Sequence, residues 1–329
     1  MSSALVARWA TEPVPPGVDY PHVLRTPHAG AAQSVLGVAL GLLTFIVAAP
    51  LIMMVLASGY WLVVGRPGEY SDTYRALVAY ELPFGLVVGH LGLAVLIPIA
   101  VLLVLFIHRG RPGYLSSVAG RLRWGWFGAC FGVAVGTLLV VLVAQNLTAV
   151  DGPSWALTPQ QGWWIFLLVM LCTTPVQAAA EEYFFRGYLM QACGALVATP
   201  WFGIVTSAAL FTLFHSSGNL ALVVDRFAFG VLAGWLVWRT GGLEAAIAAH
   251  VVNNVTSFTL AALTTSMAQV RAVTEVTWAM AAWDVARFGL FAAVVWLLAR
   301  RWGPARLTPV PDPPRMRRRG KGRNRDRSV

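Results

Sequence analysis

The chain has 329 residues, of which 57% are apolar and only 12% charged. Soluble globular domains carry roughly a quarter charged residues, so this balance excludes a soluble enzyme and indicates a membrane protein. The net charge of +10 does not describe the body of the molecule, because nine of those charges fall from Arg300 onward; a nucleic-acid-binding domain is therefore disfavoured.

In chain order, residues 1–34 are proline-containing and lack an apolar run of signal-peptide length. They are expected to form a cytoplasmic N-terminal segment. A membrane domain follows over 35–299. A spanning helix needs about 20 mostly apolar residues, and eight stretches approach this: Val35 to Leu56, Leu82 to Ile107, Gly125 to Gln145, Trp164 to Ala180 and beyond, Trp201 to Phe214, Leu220 to Trp238, Leu243 to Leu260, and Ala281 to Leu298. The expected fold is all-α, a polytopic transmembrane helical bundle of about eight spans. The fifth stretch is short and the fourth runs on into polar residues. Residues 300–329 read as a basic, disordered cytoplasmic tail attracted to anionic lipid, and the segment beyond Arg306 carries no motif that catalysis would need.

Orientation follows from the positive loops. Arg109, Arg111, Arg121, Arg123, Arg239 and the tail fall on one side of an eight-span chain, whereas Glu69, Asp72, Glu81 and Asp151 fall on the other. Both termini are accordingly expected in the cytoplasm of a cell membrane. Cys130, Cys172 and Cys193 show no paired ligand spacing and read as small packing residues. No internal repeat suggests a carrier built from duplicated halves.

Titratable side chains within hydrocarbon are functional candidates by default, and here they gather on three segments. Glu182 and Arg186 stand four apart, acid first, the favourable order for an intrahelical pair; they are expected to be structural support. Glu181 lies about 100° round the helix from Glu182 with no cation at a helical neighbour position, leaving its carboxylate for chemistry. His215 ends the fifth segment, and Glu181 and His215 lie at similar distances on either side of the turn near Ala198 to Pro200. His250 and Asn254 share one face of the seventh helix. His250 follows Gly241-Gly242 by only eight residues, roughly 12 Å of helix, so its depth relative to the other two is not fixed by spacing. His90 reads as an ordinary buried histidine, and Asp225 and Arg226 as structural charges. Gly230 and Gly234 fit small-residue helix packing.

Three motifs, Glu181-Glu182-Tyr-Phe-Phe-Arg186, Phe211-x-x-x-His215 and His250-x-x-x-Asn254, occur in this order on separate apolar segments. Together they resemble the CAAX protease and bacteriocin-processing family of membrane peptidases, type II CAAX prenyl endopeptidases included, over a core of about 163–258. The resemblance implies an intramembrane endopeptidase acting on a membrane-associated peptide or protein. It further implies Glu181 as the base that activates water, His215 as its positioning partner, and His250 with Asn254 as oxyanion stabilisers. No cofactor is required by this reading. A zinc ion held by Glu181, His215 and His250 is the alternative chemistry. Two other classes stay open at this stage: a non-catalytic membrane partner or bacteriocin-immunity protein, and an ion or solute carrier.

Overall fold

A computed structural model describes residues 11–148, 156–215 and 217–311. Asp151 and the Arg-rich stretch 315–327 are not among them, so the expectations placed on these residues lie outside the described residues.

The first span, α1, is Ala31–Val63, and a short surface helix, α2, is Tyr70–Val78. The second span is broken into α3 (Phe84–Ala94) and α4 (Leu96–Phe106). Pro98 accounts for the break, since its ring opposes the carbonyl four residues earlier and it offers no N–H. The third span, α5, is Trp124–Thr148. The fourth begins as α6 (Trp163–Glu182), passes through a π-helical stretch at Tyr183–Leu189 and ends as α7 (Met190–Gly194). After a turn, α8 (Pro200–Leu213) starts with proline in its first turn, where no N–H is needed. Next come α9 (Leu220–Thr240), α10 (Glu244–Thr264), the short α11 (Met267–Arg271) and α12 (Trp278–Trp302).

Among the described residues, seven helical segments are long and apolar enough to cross a membrane, and the shorter apolar α8 supplies the eighth apolar element at the position expected for the short fifth stretch. The chain is thus a multi-pass, all-helical membrane protein; α2 and α11 were not anticipated. Leu43, Ile46, Val47 and Val55 of α1, and Leu139, Val140 and Val143 of α5, stand exposed on the outside of the bundle. Hydrocarbon is the solvent that makes such a surface stable, because each helix already satisfies its own backbone. Cys130 and Cys193 are buried packing residues as expected, whereas Cys172 is exposed.

Small residues bring the helices that carry the motifs together. A Cβ on Gly203 would lie 2.4 Å from the Met190 carbonyl oxygen. A Cβ on Gly230 would lie 2.8 Å from Ala208 Cβ and 3.4 Å from an Arg186 guanidinium nitrogen. Close approach of α8 and α9 at this point depends on glycine. Gly230→Val is therefore expected to destabilise the protein by about 1–3 kcal/mol through overpacking; thermal unfolding in detergent measures it, and an unchanged midpoint would refute the packing account.

One end of the bundle is closed by non-helical chain that buries its polar groups against protein. The loop 109–123 pairs with the turn after α9, where Val118 N donates to the Gly241 carbonyl (2.8 Å) and Leu243 N to that of Ser116 (2.9 Å). Gly241 is left-handed at φ 71° and closes α9. Glu244, fully buried, accepts from Arg123 Nη2 at 2.7 Å and Nε at 2.8 Å. The first turn of α10 therefore lies inside the protein instead of at its surface, which carries His250 to the depth of the other motifs.

Both terminal segments belong to this cap. Trp238 Nε1 donates to Asp19 (2.8 Å), and the buried Tyr20 hydroxyl donates to the Leu115 carbonyl. Arg25 donates to the carbonyls of Gly194, Ala195 and Val197, the otherwise open end of α7. Thr308 N donates to Val18 O at 2.9 Å, its hydroxyl donates to Pro15 O, and it is 3% exposed. The expected disordered tail over 300–329 does not begin at Arg300: α12 continues to Trp302, and residues 303–311 dock on the N-terminal segment. The correction has a local cause, since the buried Thr308 bonds through its backbone and hydroxyl to Gly17, Val18 and Pro15.

Candidate active site

The three motifs meet. Glu181 and Glu182 end α6, where the helix widens into the π-helical stretch, a feature frequent at functional sites. Both carboxylates are buried, at 3% and 0% exposure.

Glu182 Oε1 accepts from Arg186 Nη1 at 3.0 Å, the intrahelical pair expected from the spacing. The same oxygen accepts from His250 Nδ1 at 2.7 Å, which no spacing indicated. Arg186 is fully buried, and its guanidinium lies 4.1 Å from the Phe211 ring centroid and 5.1 Å from that of Phe229. Two aromatic faces thus help to hold a cation far from water. This explains the phenylalanine of the second motif. Phe211 also lies against His215, the rings tilted by 37° with centroids 4.1 Å apart, and its carbonyl accepts from His215 Nδ1 at 2.7 Å.

Those two Nδ1 bonds fix both imidazoles. His215 Nε2 lies 3.6 Å from Glu181 Oε2, and His250 Nε2 lies 3.7 Å from the same oxygen. Neither distance is a hydrogen bond, and Glu181 Oε2 has no hydrogen-bonding partner among the described residues. The other oxygen, Oε1, accepts from Gln177 Nε2 at 2.6 Å. Gln177 Oε1 in turn accepts from Asn254 Nδ2 at 3.1 Å. Glu181 is thereby held by one oxygen and presents the other toward two imidazole nitrogens.

The sequence reading missed Gln177, although it sits four residues before Glu181 on the same helical face, a signal of the kind used for Glu182 and Arg186. It also missed the support behind Asn254. Asn253 Nδ2 donates to Asn254 Oδ1 at 3.1 Å, and Arg287 Nη2 donates to Asn253 Oδ1 at 2.5 Å and to Asp284 Oδ1 at 3.1 Å. A chain of polar contacts therefore runs from α12 through α10 to the Glu181 carboxylate. Its members lie on different helices, so no spacing could reveal it.

The site opens on a cavity of about 450 Å³ lined by Gln177, Glu181, His215, Arg226 and Asn254 on its polar side and by Phe45, Met53, Leu93, Phe185, Phe214 and Phe258 on its apolar side. Arg226, read from sequence as structural, lines this wall and also donates to Ser217 Oγ at 3.0 Å. His90 lines it too, with Nδ1 bonded to Thr173 Oγ1 at 2.7 Å.

A tetrahedral zinc site with bonds of about 2.1 Å brings its donor atoms to within roughly 3.4 Å of one another. The separations of 3.6 and 3.7 Å from Glu181 Oε2 are within a few tenths of an ångström of that spacing. Among the described residues no group of three or more His, Cys, Asp or Glu side chains is disposed to hold a metal ion.

A buried carboxylate flanked by two imidazoles and an amide, inside an all-helical membrane bundle, defines a class of intramembrane site suited to polar chemistry away from bulk water. Residues 161–256 match the family model "Type II CAAX prenyl endopeptidase Rce1-like", so the segment holding all three motifs is Rce1-like and the resemblance read from them is borne out. The chain is also 28% identical over 200 residues to a Bacillus subtilis (strain 168) protein described as "Uncharacterized protein YyaK". That similarity covers 58% of this chain and 66% of the relative, just under two thirds of its length. No solved structure matches the chain.

Proposed function

We propose that the protein is an intramembrane endopeptidase that hydrolyses a peptide bond of a membrane-associated protein or peptide, with Glu181 activating the attacking water. The observation that carries this reading is Glu181 Oε2, which is buried, without a hydrogen-bonding protein partner, and 3.6 and 3.7 Å from two imidazole nitrogens on a cavity wall. A water beside Oε2 lies within reach of a base, and its position is set by His215. Gln177 keeps the carboxylate from rotating, so the base is presented in one orientation.

Oxyanion stabilisation falls to Asn254 and His250. Asn254 has a second amide hydrogen beyond the one given to Gln177. His250 has committed its Nδ1–H to Glu182, so it donates from Nε2 only as the imidazolium, and Glu182 is placed to stabilise that cation. In a site that excludes water, such donors act more strongly than in solution. The apolar side of the cavity suits a hydrophobic stretch of substrate, and an Rce1-like segment supports a substrate of this class.

The test is cleavage of a membrane-anchored peptide by the purified protein in detergent, with the products sized by mass spectrometry and with a chelator in a parallel arm. A single new pair of termini, formed equally with and without chelator, is the expected result. Activity lost to chelator and restored by zinc would transfer the chemistry to a metal. No cleavage of any membrane-anchored peptide would leave a binding or carrier function instead.

We further propose that both termini face the cytoplasm, because the Arg109 to Arg123 loop, Arg239 and the cations Arg300, Arg301 and Arg306 share one end of the bundle. The cavity is lined by Tyr80, Arg271, Val273 and Thr274 at the opposite end of α10, so it opens to the outer face. Cysteine at position 273 in a cysteine-free background is expected to react with an impermeant maleimide in intact cells, and cysteine at position 121 only after lysis. The reverse pattern would invert the topology.

A further inference from the structure

The chain of polar contacts behind Asn254 has a direction, because its two ends differ in kind. At one end is Arg287 of α12, whose guanidinium can only donate; at the other is Glu181, whose ionised carboxylate can only accept. The amides between them could each turn either way if they stood alone. Arg287 Nη2 donates to Asn253 Oδ1 at 2.5 Å, so Asn253 meets Asn254 with its Nδ2, 3.1 Å from Oδ1. Asn254 then meets Gln177 Oε1 with Nδ2 at 3.1 Å, and Gln177 meets Glu181 Oε1 with Nε2 at 2.6 Å. Asn253, Asn254 and Gln177 therefore all place the oxygen toward Arg287 and the nitrogen toward Glu181, the one sense that satisfies both ends.

Arg287 is held where it can impose this sense. Its side chain is 11% exposed, and Nη2 also donates to Asp284 Oδ1 at 3.1 Å, one turn earlier on the same helix. Its guanidinium lies 4.4 Å from the Phe288 ring centroid, a further anchor for the cation. The segment 161–256 that matches the family model contains the three amides but not Arg287, so the end of the chain that sets its direction comes from outside that segment.

We infer that Arg287, acting through Asn253, is a positioning residue for the hydrolysis: it sets the sense of the amide chain so that Asn254 offers N–H groups, and not its oxygen, on the Glu181 side. Asn254 lines the cavity in which the reaction would occur. A second N–H there stabilises a developing oxyanion, whereas an amide oxygen in the same place would repel it. The same sense keeps a donor on the held oxygen of Glu181; a reversed chain would set the Gln177 oxygen against it. This inference rests on the endopeptidase reading, which it deepens by adding a residue of α12 to the groups that prepare the site.

The test compares variants at equal amounts of folded protein in detergent. It reads kcat and KM for a membrane-anchored peptide, and the affinity of a peptide phosphonate whose anionic oxygens copy the tetrahedral intermediate. Arg287→Met is expected to lower kcat by about 10-fold to 100-fold and to weaken the phosphonate by a similar factor, with KM within about 2-fold of the parent. Arg287→Lys should recover most of the loss, because both hydrogen bonds leave the single nitrogen Nη2 and an ammonium can supply them. Asn253→Asp keeps an ion pair for Arg287 but has no hydrogen to give Asn254, so Asn254 turns over and the loss should exceed that of Arg287→Met. This variant carries the test where Arg287→Met folds poorly. In an Asn254→Ala background Arg287→Met should lower kcat no further, since the group it positions is gone; a merely structural arginine would act in both backgrounds. Parental kcat in folded Asn253→Asp, or losses that multiply in the double variant, would overturn the inference while leaving the endopeptidase reading intact. An unsubstituted protein that cleaves no membrane-anchored peptide would sink that reading and this inference with it.

Discussion

Glu181→Gln is expected to lower the turnover of a membrane-anchored peptide by about 100-fold to 10,000-fold, the usual contribution of a general base, while leaving the folded yield unchanged. The substitution keeps the size of the side chain and an oxygen to accept from Gln177, so the contact now at 2.6 Å survives. What disappears is the second carboxylate oxygen, the one that faces His215 and His250 and has no protein partner. His215→Ala is expected to match it, because His215 Nε2 faces that oxygen at 3.6 Å and would no longer position the water beside it. Asn254→Ala should cost less, in the range of 100-fold to 1000-fold for one oxyanion donor, with part of the loss arising through Gln177. The comparison is made at equal amounts of folded protein; a Glu181→Gln variant that cleaves at the parental rate removes Glu181 from the chemistry.

Glu182→Gln should behave in the opposite manner, with a large loss of stability. Arg186 is fully buried between two phenylalanine rings, and Glu182 is its only described ion-pair partner. Breaking a buried pair from one side leaves a charge uncompensated and typically costs about 3–5 kcal/mol, a large share of the 5–15 kcal/mol that keeps an ordinary domain folded. Glu182 also holds His250 at Nδ1, so whatever protein survives should have reduced activity. A second substitution separates the two effects. Adding Arg186→Met to Glu182→Gln removes the stranded cation and should recover most of the stability, since replacing both partners of a buried pair is often close to neutral. Activity should stay reduced, because His250 no longer faces a carboxylate. Unfolding in detergent and peptide cleavage report the two quantities independently. If the double variant were as unstable as the single one, the charge-stranding account would fail.

The two adjacent glutamates thus divide the labour of the site. One oxygen of Glu182 accepts from both a cation and an imidazole of another helix; Glu181 accepts from Gln177 at one oxygen and turns the other toward two imidazole nitrogens. The carboxyl groups are neighbours in sequence, and a turn of about 100° between them is enough to point them at different partners.

Much of this was legible without the fold, for a definite reason. Eight apolar runs could be located because crossing hydrocarbon imposes length and composition on each segment separately. The Glu182 pair with Arg186, and the shared face of His250 and Asn254, follow from helix periodicity alone. Sequence also separated Glu181 from Glu182, because the position four residues after Glu181 holds no cation. The rest depended on contacts between helices. The depth of His250 was undetermined, since nothing local indicates that the turn at Gly241 and Gly242 is buried under the 109–123 loop and that Glu244 is clamped by Arg123. Asn253, Arg287 and Gln177 come from three helices and meet only when these pack, and Tyr80 reaches the cavity only because Gly89 leaves room. The docked segment 303–311 was hidden for the same reason: a charge run reads as a solvated tail, and only the N-terminal residues it lies against give Thr308 its partners. Helix-forming pattern and intrahelical pairing are properties of short stretches of chain, whereas burial depth and polar partnership belong to the packed bundle, where an unsatisfied group in hydrocarbon is costly enough to select the one arrangement that pairs it.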